Sequence, residues 1–595
     1  MLWFLIPGGL AVCTAVWTAI ASAAALAMIG QMHLFQPPYW QWWELRPYWS
    51  TGPWPMFVVW VSGGVAFAPF AIAYSIVLAS WRAGWNTRMQ PSLWWLWQSG
   101  RVQRGITDNY GNTCWMSVAE MCRRFHARKG VPVGEAYRPD QDLSIRAVQF
   151  DPRNKRTWGK GGKRRLLIHD PTDGPGHSVV FAGSRKYKTT TAVTTILSWV
   201  GLGSCVVLDP SCELAPMLTD ELRKRKQAVY VLSPEASQQC NVNVLDWINP
   251  KDPMAAEHIQ TVVSWIWHDE ENRQTKTAED NLFEGNARNL VACFLAHLVW
   301  DCPNVPRTLE TVREWLASPE PQVRAALQHI LDNSNSKFAK QRAAELVGIV
   351  HETFSGMLFN VAHGTSWLST GAYAQLVSGS TFDTRALRKG NVVVFIQVSL
   401  DALMNQPAVA RTLIGSLMNS VYQAKGNPRL IAGRVLFLLD EAALLGPMRL
   451  LQTVGATGSK YRLHIHMLYQ SVGQFEKQWG SQGKKTWYDN LSWRGYAAIQ
   501  DLETAEEVSK LFGYNTVMAF AESDNTGSGN IAKSLWHNTN RREERRALIL
   551  PQDLLQNTRH DVLYGYAGGR PFQCSRAIYF RRPEIASVVN LSAYA

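Results

Sequence analysis

From Ser178 onward the chain is a succession of short, β-branched apolar runs separated by helical stretches, and this alternation constrains the fold more than any other feature. The runs expected as strands are Ser178–Ala182, Cys205–Leu208, Val229–Leu232, Val392–Val398, Val435–Leu439, His464–Tyr469 and Ala497–Gln500. Continuously apolar strands joined through helices indicate a mostly parallel sheet covered on both faces, hence an α/β domain. Residues 250–375 interrupt the alternation with stretches such as "AEDNLFEGNARNLVACFLAHLVW" and "QVRAALQHILD". An all-α insertion domain is the simplest account. Near the end, "DVLYGYAGGRPFQCSRAIYF" reads as a hairpin turning at Gly568-Gly569, and the polar run Glu522–Asn540 as an exposed loop.

Ahead of these elements lie two uncharged runs, Trp3–Gly30 and Met56–Trp81. About 20 apolar residues cross a hydrocarbon core. A cleaved signal peptide is the rival reading of the first run, but it has no basic leader and is too long. The expectation is an N-terminal two-helix transmembrane hairpin whose short connection, rich in Trp, Tyr and Pro, faces outward. Arg82, Arg88, Arg101, Arg104, Arg123, Arg124, Arg128 and Lys129 follow the second run and place the bulk of the chain in the cytoplasm. The expected division over 595 residues is a hairpin at 1–88, the α/β domain in two parts at 89–249 and 376–595, and an all-α domain at 250–375. In 82–165 only a helix around Cys114–Arg128 emerges. The basic cluster Lys160, Lys163, Arg164 and Arg165 suits phosphate groups or a solvated loop equally.

Lys and Arg number 60 against 47 Asp and Glu, a net charge of +13 that favours polyanionic partners without requiring them. The nine Cys form neither a CxxC pair nor a zinc spacing, and read as reduced and structural.

The chemistry-bearing segment is "GHSVVFAGSRKYKTTTAVTTIL", a strand, a tight loop and a helix start. Such a loop binds phosphate when main-chain amides converge at a helix N-terminus, a lysine reaches the β/γ-phosphates and a hydroxyl meets Mg2+. The candidates are Gly183, Ser184, Arg185, Lys186, Tyr187, Lys188, Thr189 and Thr190, with Lys188 for the phosphates and Thr189 for the metal. Both signature glycines are replaced, by Ala182 and Tyr187. A tyrosine still supplies an amide, and its cost depends on whether φ there is positive. "RVLFLLDEAALLG" then ends a strand in Asp440-Glu441, placed where α/β sheets bind ligands. Asp440 suits Mg2+ and Glu441 the attacking water; a strand-end acid capping the next helix is the plainer alternative. "HIHMLYQSVGQFEKQWG" ends a strand in Gln470, an amide able to sense a γ-phosphate. His464 and His466 share a strand face but have no third ligand, so a structural role is expected.

With these segments in order, and with "VVLDPSCEL", "NVNVLDWI" and "RRALILPQDLL" between and after them, the chain resembles the conjugative coupling proteins of type IV secretion systems. These are membrane-anchored ATPases related to RecA-like DNA translocases. The resemblance implies a RecA-like P-loop NTPase fold, ATP and Mg2+ as cofactors, and a homo-hexameric ring at the bacterial inner membrane. It further implies an all-α domain that receives DNA with its relaxase or an effector protein, and delivery to type IV secretion channel components. It assigns Lys188 and Thr189 to phosphates and metal, Asp440 and Glu441 to metal and water, and Gln470 to γ-phosphate sensing. The family's trans-acting cation has no clear equivalent: "TGSKYRLH" offers Lys460 or Arg462, each equally readable as an exposed charge. A non-hydrolysing docking receptor with a decayed loop is the alternative function, although retention of Asp440, Glu441 and Gln470 argues against it. An ABC exporter is excluded by the missing signature sequence and the few spans. A DNA-segregation pump shares the motor but does not explain the helical insertion.

Overall fold

The computed structural model describes residues 2–30, 53–82, 107–145, 148–184, 186–235, 240–267, 278–522 and 539–590. It divides into two compact units, 1–107 with 517–543, and 108–516 with 544–595.

In the first unit the two uncharged runs form helices α1 (Leu2–Met28) and α2 (Pro53–Arg82). They pack through Ala21, Ala25, Val58, Val59 and Ala66, with the Trp17 and Phe67 rings 5.6 Å apart. Among the described residues no helix is long and apolar enough to cross a membrane, so the expected transmembrane hairpin is not shown. Its connecting loop, and Arg88, Arg101 and Arg104 beyond it, lie outside the described residues.

The second unit is built on an eleven-stranded sheet. Its first strands are β1 (Val131–Glu135), β2 (Leu166–His169), β3 (His177–Ala182), β4 (Gly203–Leu208) and β5 (Ala228–Leu232). They are followed by β6 (Val392–Ile396), β7 (Arg434–Leu439), β8 (Leu463–Tyr469) and β9 (Leu491–Ala497). Strands β10 (Tyr514–Glu522) and β11 (Thr539–Ala547) pair in a small sheet of their own, and β12 (Val562–Tyr566) and β13 (Phe572–Ser575) rejoin the large one. The order is β2-β1-β13-β12-β9-β3-β8-β7-β4-β6-β5. From β9 to β5 every pairing is parallel, and from β9 to β2 every pairing is antiparallel.

Alternate residues of the central strands feed separate cores. Val206, Leu208, Val394, Ile396, Phe437 and Leu439 enter one, while Cys205, Val207, Val393, Phe395, Leu436 and Leu438 enter the other. A strand buried on both faces has no polar alternation to keep, which is why these runs read as continuously apolar. Helices α3 (Val118–Arg124), α4 (Lys188–Trp199) and α5 (Leu214–Lys224) belong to the nucleus of this unit. Between Ala255 and Ser378 the described elements are helices, of which α6 (Ala278–Asp301) is the longest.

Several expectations need correction. The last parallel strand is Leu491–Ala497, ending where Ala497–Gln500 was expected to begin. Arg494 and Gly495 disguise it: the Arg494 guanidinium is sequestered 4.0 Å from the Tyr488 ring centroid instead of facing water. Strand β1 arises in the basic segment expected to hold only a helix, and β2 directly after it. In β1, "VPVGE", proline and glycine mimic a loop, yet Glu135 is fully buried and accepts from Gly162 N at 2.8 Å and Arg582 at 3.2 Å. The expected helix Cys114–Arg128 is shorter, Val118–Arg124, opened by a Ser117–Glu120 capping box. Strand β6 stops at Ile396, two residues early. The hairpin β12–β13 turns through Gly568 and Gly569, both at positive φ as glycine permits. Of the polar run Glu522–Asn540, the ends belong to β10 and β11 and residues 523–538 lie outside the described residues.

Candidate nucleotide site

β3, β8 and β7 lie side by side and parallel, so their C-terminal ends open on one edge of the sheet. The loop after β3, the acid pair after β7 and Gln470 after β8 therefore converge there. Lys188, first residue of α4, sends its ammonium to Glu441 Oε1. The other carboxylate oxygen, Oε2, accepts from Gln470 Nε2 at 3.0 Å. Gln470 is steadied in turn, its main-chain N–H donating to Gln474 Oε1 at 3.1 Å. Lys188 and Glu441 are only 7% and 16% exposed, so water screens the pair weakly.

Asp440 lies beside this pair and is nearly inaccessible, at 5%. Its Oδ1 accepts from Glu441 N at 3.0 Å. Burial lifts its carboxyl to about 7, with the Lys188 ammonium opposing and the Glu441 carboxylate reinforcing the rise. A carboxyl so disfavoured as an anion is short of positive charge. A hard divalent cation with oxygen ligands would supply it, and the Thr189 hydroxyl in the first turn of α4 is a second oxygen of the required kind. The residues present thus fit Mg2+. No group of three or more His, Cys, Asp or Glu able to hold a metal occurs among the described residues, so none is built around His464 or His466 there. Instead His466 Nδ1 meets Ser178 Oγ at 2.7 Å and His464 Nε2 meets Arg434 at 2.8 Å, both rings buried.

Tyr187 answers the question of the missing glycine. It caps α4 in the left-handed region, φ 61° and ψ 29°, the conformation glycine adopts without penalty. A side chain there costs about 1–2 kcal/mol. The ring packs edge-on against Phe150 and Phe580, with centroids 5.4 and 6.2 Å away. Glu441 is left-handed too, at φ 51° and ψ 43°, so two non-glycine residues in sparsely populated conformations meet at this edge. Ala182, at the other lost glycine, is an ordinary residue at the end of β3 and needs no positive φ.

Gly183 follows β3 and Ser184 is exposed in the turn; Arg185 lies outside the described residues. Lys186 points to His560 Nε2 at 3.0 Å, and the Thr190 hydroxyl is taken by Tyr187 O at 2.7 Å. Lys460 and Arg462 precede β8 and so stand at the opposite end of that strand from Gln470, roughly 25 Å away at about 3.3 Å per residue. Lys460 is exposed, and Arg462 donates to the Ile431 and Gly433 carbonyls at 3.4 Å. Within one chain neither joins the Lys188–Glu441–Gln470 group.

The family described as type IV secretory system conjugative DNA transfer matches residues 114–594, a span holding the whole site. The chain belongs to this family. It is thus a type IV secretion coupling protein. It is 38% identical over 485 residues to conjugal transfer protein TraG of Agrobacterium fabrum, covering 81% of this chain and 72% of the relative. To the type IV secretion system-coupling protein VirD4 of Bartonella henselae it is 34% identical over 503 residues, 84% of this chain and 77% of the relative. In fold this coupling protein is similar to the bacterial conjugative coupling protein TrwBdeltaN70 in its unbound form. The TM-score is 0.57 at 13% identity, over 80% of this chain and 96% of that one. TrwB in complex with ADP and Mg2+ gives a TM-score of 0.52 at 16% identity, over 69% and 87% of the two chains.

Two features of the site had no signal in the sequence. Arg576, on the residue after β13, reaches the loop across 390 positions of sequence, a separation at which no spacing rule operates. Asp209, the residue after β4, is fully buried and accepts from the Leu214 amide of α5 at 2.9 Å and from Gln397 at 3.1 Å. The segment "VVLDPSCEL" contained it, but as a family signature only.

Proposed function

We propose that this coupling protein binds ATP with Mg2+ at the β3–α4 loop and hydrolyses it to drive substrate toward a type IV secretion channel. The observation that carries the reading is the single contact group Lys188–Glu441–Gln470 at the shared edge of three adjacent parallel strands, with the buried Asp440 alongside. In this reading the amides at the start of α4 cradle the phosphates and Lys188 leaves Glu441 for the β/γ-phosphates. Thr189 and Asp440 hold the metal, whose chemistry is to neutralise charge developing on the phosphoryl oxygens. Glu441, once released, orients and deprotonates the attacking water, and Gln470 follows the γ-phosphate through its tie to Glu441. The complex of TrwB with ADP and Mg2+ supports nucleotide and metal binding on this fold.

The wider assignments rest on family membership. We infer a homo-hexamer in which Lys460 or Arg462 acts on the neighbouring subunit's nucleotide, an inner-membrane anchor formed by the uncharged N-terminal runs, and an all-α domain at 250–375 that receives DNA with relaxase or an effector protein. Contact with DNA is expected to be phosphate-directed and salt-sensitive. The test is DNA-stimulated ATP hydrolysis by the full-length chain and its Lys188→Ala variant. Equal turnover in both would remove the loop from consideration. Wild-type protein that binds no Mg-ATP in isothermal titration would leave a tethered docking receptor.

A further inference from the structure

Behind the loop lies a buried cation with an unusual set of partners. Arg576 is 1% exposed. Among the described residues its guanidinium donates only to main-chain carbonyls: Nη1 to Lys186 O and, at 3.5 Å, His560 O, and Nη2 to Tyr187 O at 3.0 Å. The nearby carboxylate, Asp561, is already engaged by Arg559 at 2.9 Å and Arg581 at 2.7 Å. A buried guanidinium is costly to keep without an acid, so its retention calls for a role that carbonyl contacts alone can explain.

Peptide geometry supplies that role. In a trans peptide the C=O and the following N–H point in opposite directions. The Lys186 carbonyl shares its plane with the Tyr187 amide, and the Tyr187 carbonyl shares its plane with the Lys188 amide. Drawing both oxygens onto Arg576 therefore turns both N–H groups away from it. These amides open α4, where no upstream helical carbonyl exists to accept from them. The same two planes bracket Tyr187, whose left-handed backbone a glycine would reach unaided. Phe580, four residues beyond Arg576, holds the Tyr187 ring from the same C-terminal segment.

We propose that Arg576 is the positioning residue of the phosphate loop: it fixes the Lys186 and Tyr187 carbonyls behind the loop, presents the Tyr187 and Lys188 amides to a triphosphate, and so stands in for the missing glycine. The proposal rests on the nucleotide-site reading above. Its test is a cycle of Arg576→Lys, Tyr187→Gly and the double variant in the full-length chain, titrated with fluorescent N-methylanthraniloyl-ATP and Mg2+, with hydrogen exchange followed on peptides covering 183–190 and 559–582. Arg576→Lys is expected to weaken binding about tenfold and to speed exchange in 183–190. In the Tyr187→Gly background the same change should cost threefold or less, because glycine no longer needs the clamp. If Arg576→Lys binds like wild type, or costs the same factor in both backgrounds, Arg576 supports only its own strand and the proposal falls. Should Arg576→Lys not give a cooperative melt, Arg576→Gln enters the same cycle under the same criteria. Wild-type protein that fails to bind the probe would defeat the nucleotide reading itself, and this proposal with it; wild-type binding with an indifferent Arg576 defeats the proposal alone.

Discussion

Replacing Glu441 with Gln should tighten nucleotide binding while stopping turnover. The reason lies in the resting contact: the Lys188 ammonium is held by Glu441, so the lysine must give up that partner before it can serve a phosphate. A hydrogen bond to a charged group contributes about 1.5–3 kcal/mol net, and neutralising one partner leaves roughly half. Glutamine keeps one carbonyl acceptor for Lys188, and its amide N–H retains the link to Gln470 once the Gln470 amide turns over to accept, so the restraint on Lys188 falls by about 1–1.5 kcal/mol, equivalent to roughly tenfold in affinity. The low exposure of both groups means that little of this is lost to screening. A second effect acts in the same direction, since a carboxylate no longer faces the triphosphate. Turnover moves oppositely: with no base to take the water's proton, a loss of about 10²–10⁴-fold is expected. Equilibrium titration with a fluorescent ATP analogue, followed by single-turnover phosphate release, separates the two quantities. Unchanged or weaker binding in Glu441→Gln would show that the Lys188–Glu441 contact does not hold the lysine back. Turnover at the wild-type rate would remove Glu441 from the chemistry.

Other expectations concern the lysine, the trans residue and the buried histidines. Lys188→Ala should reduce hydrolysis by about 10²–10³-fold or more through lost charge stabilisation. It should also lower the stability of the nucleotide-free protein by about 3 kcal/mol, because Glu441 is left poorly solvated and without its counter-ion; denaturant melts read this directly. Mixing inactive Lys188→Ala and Lys460→Ala chains should restore about a quarter of wild-type ATPase activity if Lys460 acts across a head-to-tail interface, since a random ring keeps that share of interfaces whole. No recovery would turn the same experiment to Arg462. His466 is buried against Ser178, and burial depresses its imidazole to about 3; His177, likewise buried, lies near 4. Folded values below the unfolded value of about 6.5 mean that these rings favour the fold above pH 6.5 and oppose it progressively as pH falls toward 4 and 3. His466→Gln should therefore flatten the acid limb of a stability–pH curve by up to about 1.4 kcal/mol per pH unit, and an unaltered slope would assign the acid limb to other groups.

What the sequence exposes and what it hides follow from one distinction. Strands buried on both faces advertise themselves, as "VVVFI" and "VLFLL" do, because nothing but apolar bulk is tolerated there. Two of the strands that the sequence disguises bury a polar group with its partner: Arg494 stacked on Tyr488 in β9, and Glu135 bound to Arg582 in β1. A lone charge in a short apolar run reads as a loop, and its partner is a different part of the chain. The site divides similarly. Lys188, Asp440, Glu441 and Gln470 each stand at the end of a recognisable strand or loop, so their convergence follows from parallel topology alone. The left-handed backbones of Tyr187 and Glu441 do not, because dihedral angles leave no mark on residue type once glycine has been replaced.

This distinction bears on how a loop lacking both glycines can still be a phosphate loop. Ala182 sits where φ is ordinary, so its substitution costs nothing. Tyr187 sits where φ is positive, so its substitution costs about 1–2 kcal/mol that must be recovered elsewhere. The antiparallel strands β12 and β13 enter the parallel sheet beside β9, and the residues after β13 are the ones that grip the loop, Arg576 by its carbonyls and Phe580 by the Tyr187 ring. Backbone freedom that glycine would give locally is thus replaced by tertiary contacts from the far end of the chain. If the loop binds nucleotide as proposed, the C-terminal segment belongs to that site, and changes there should be felt in nucleotide affinity before they are felt in the fold.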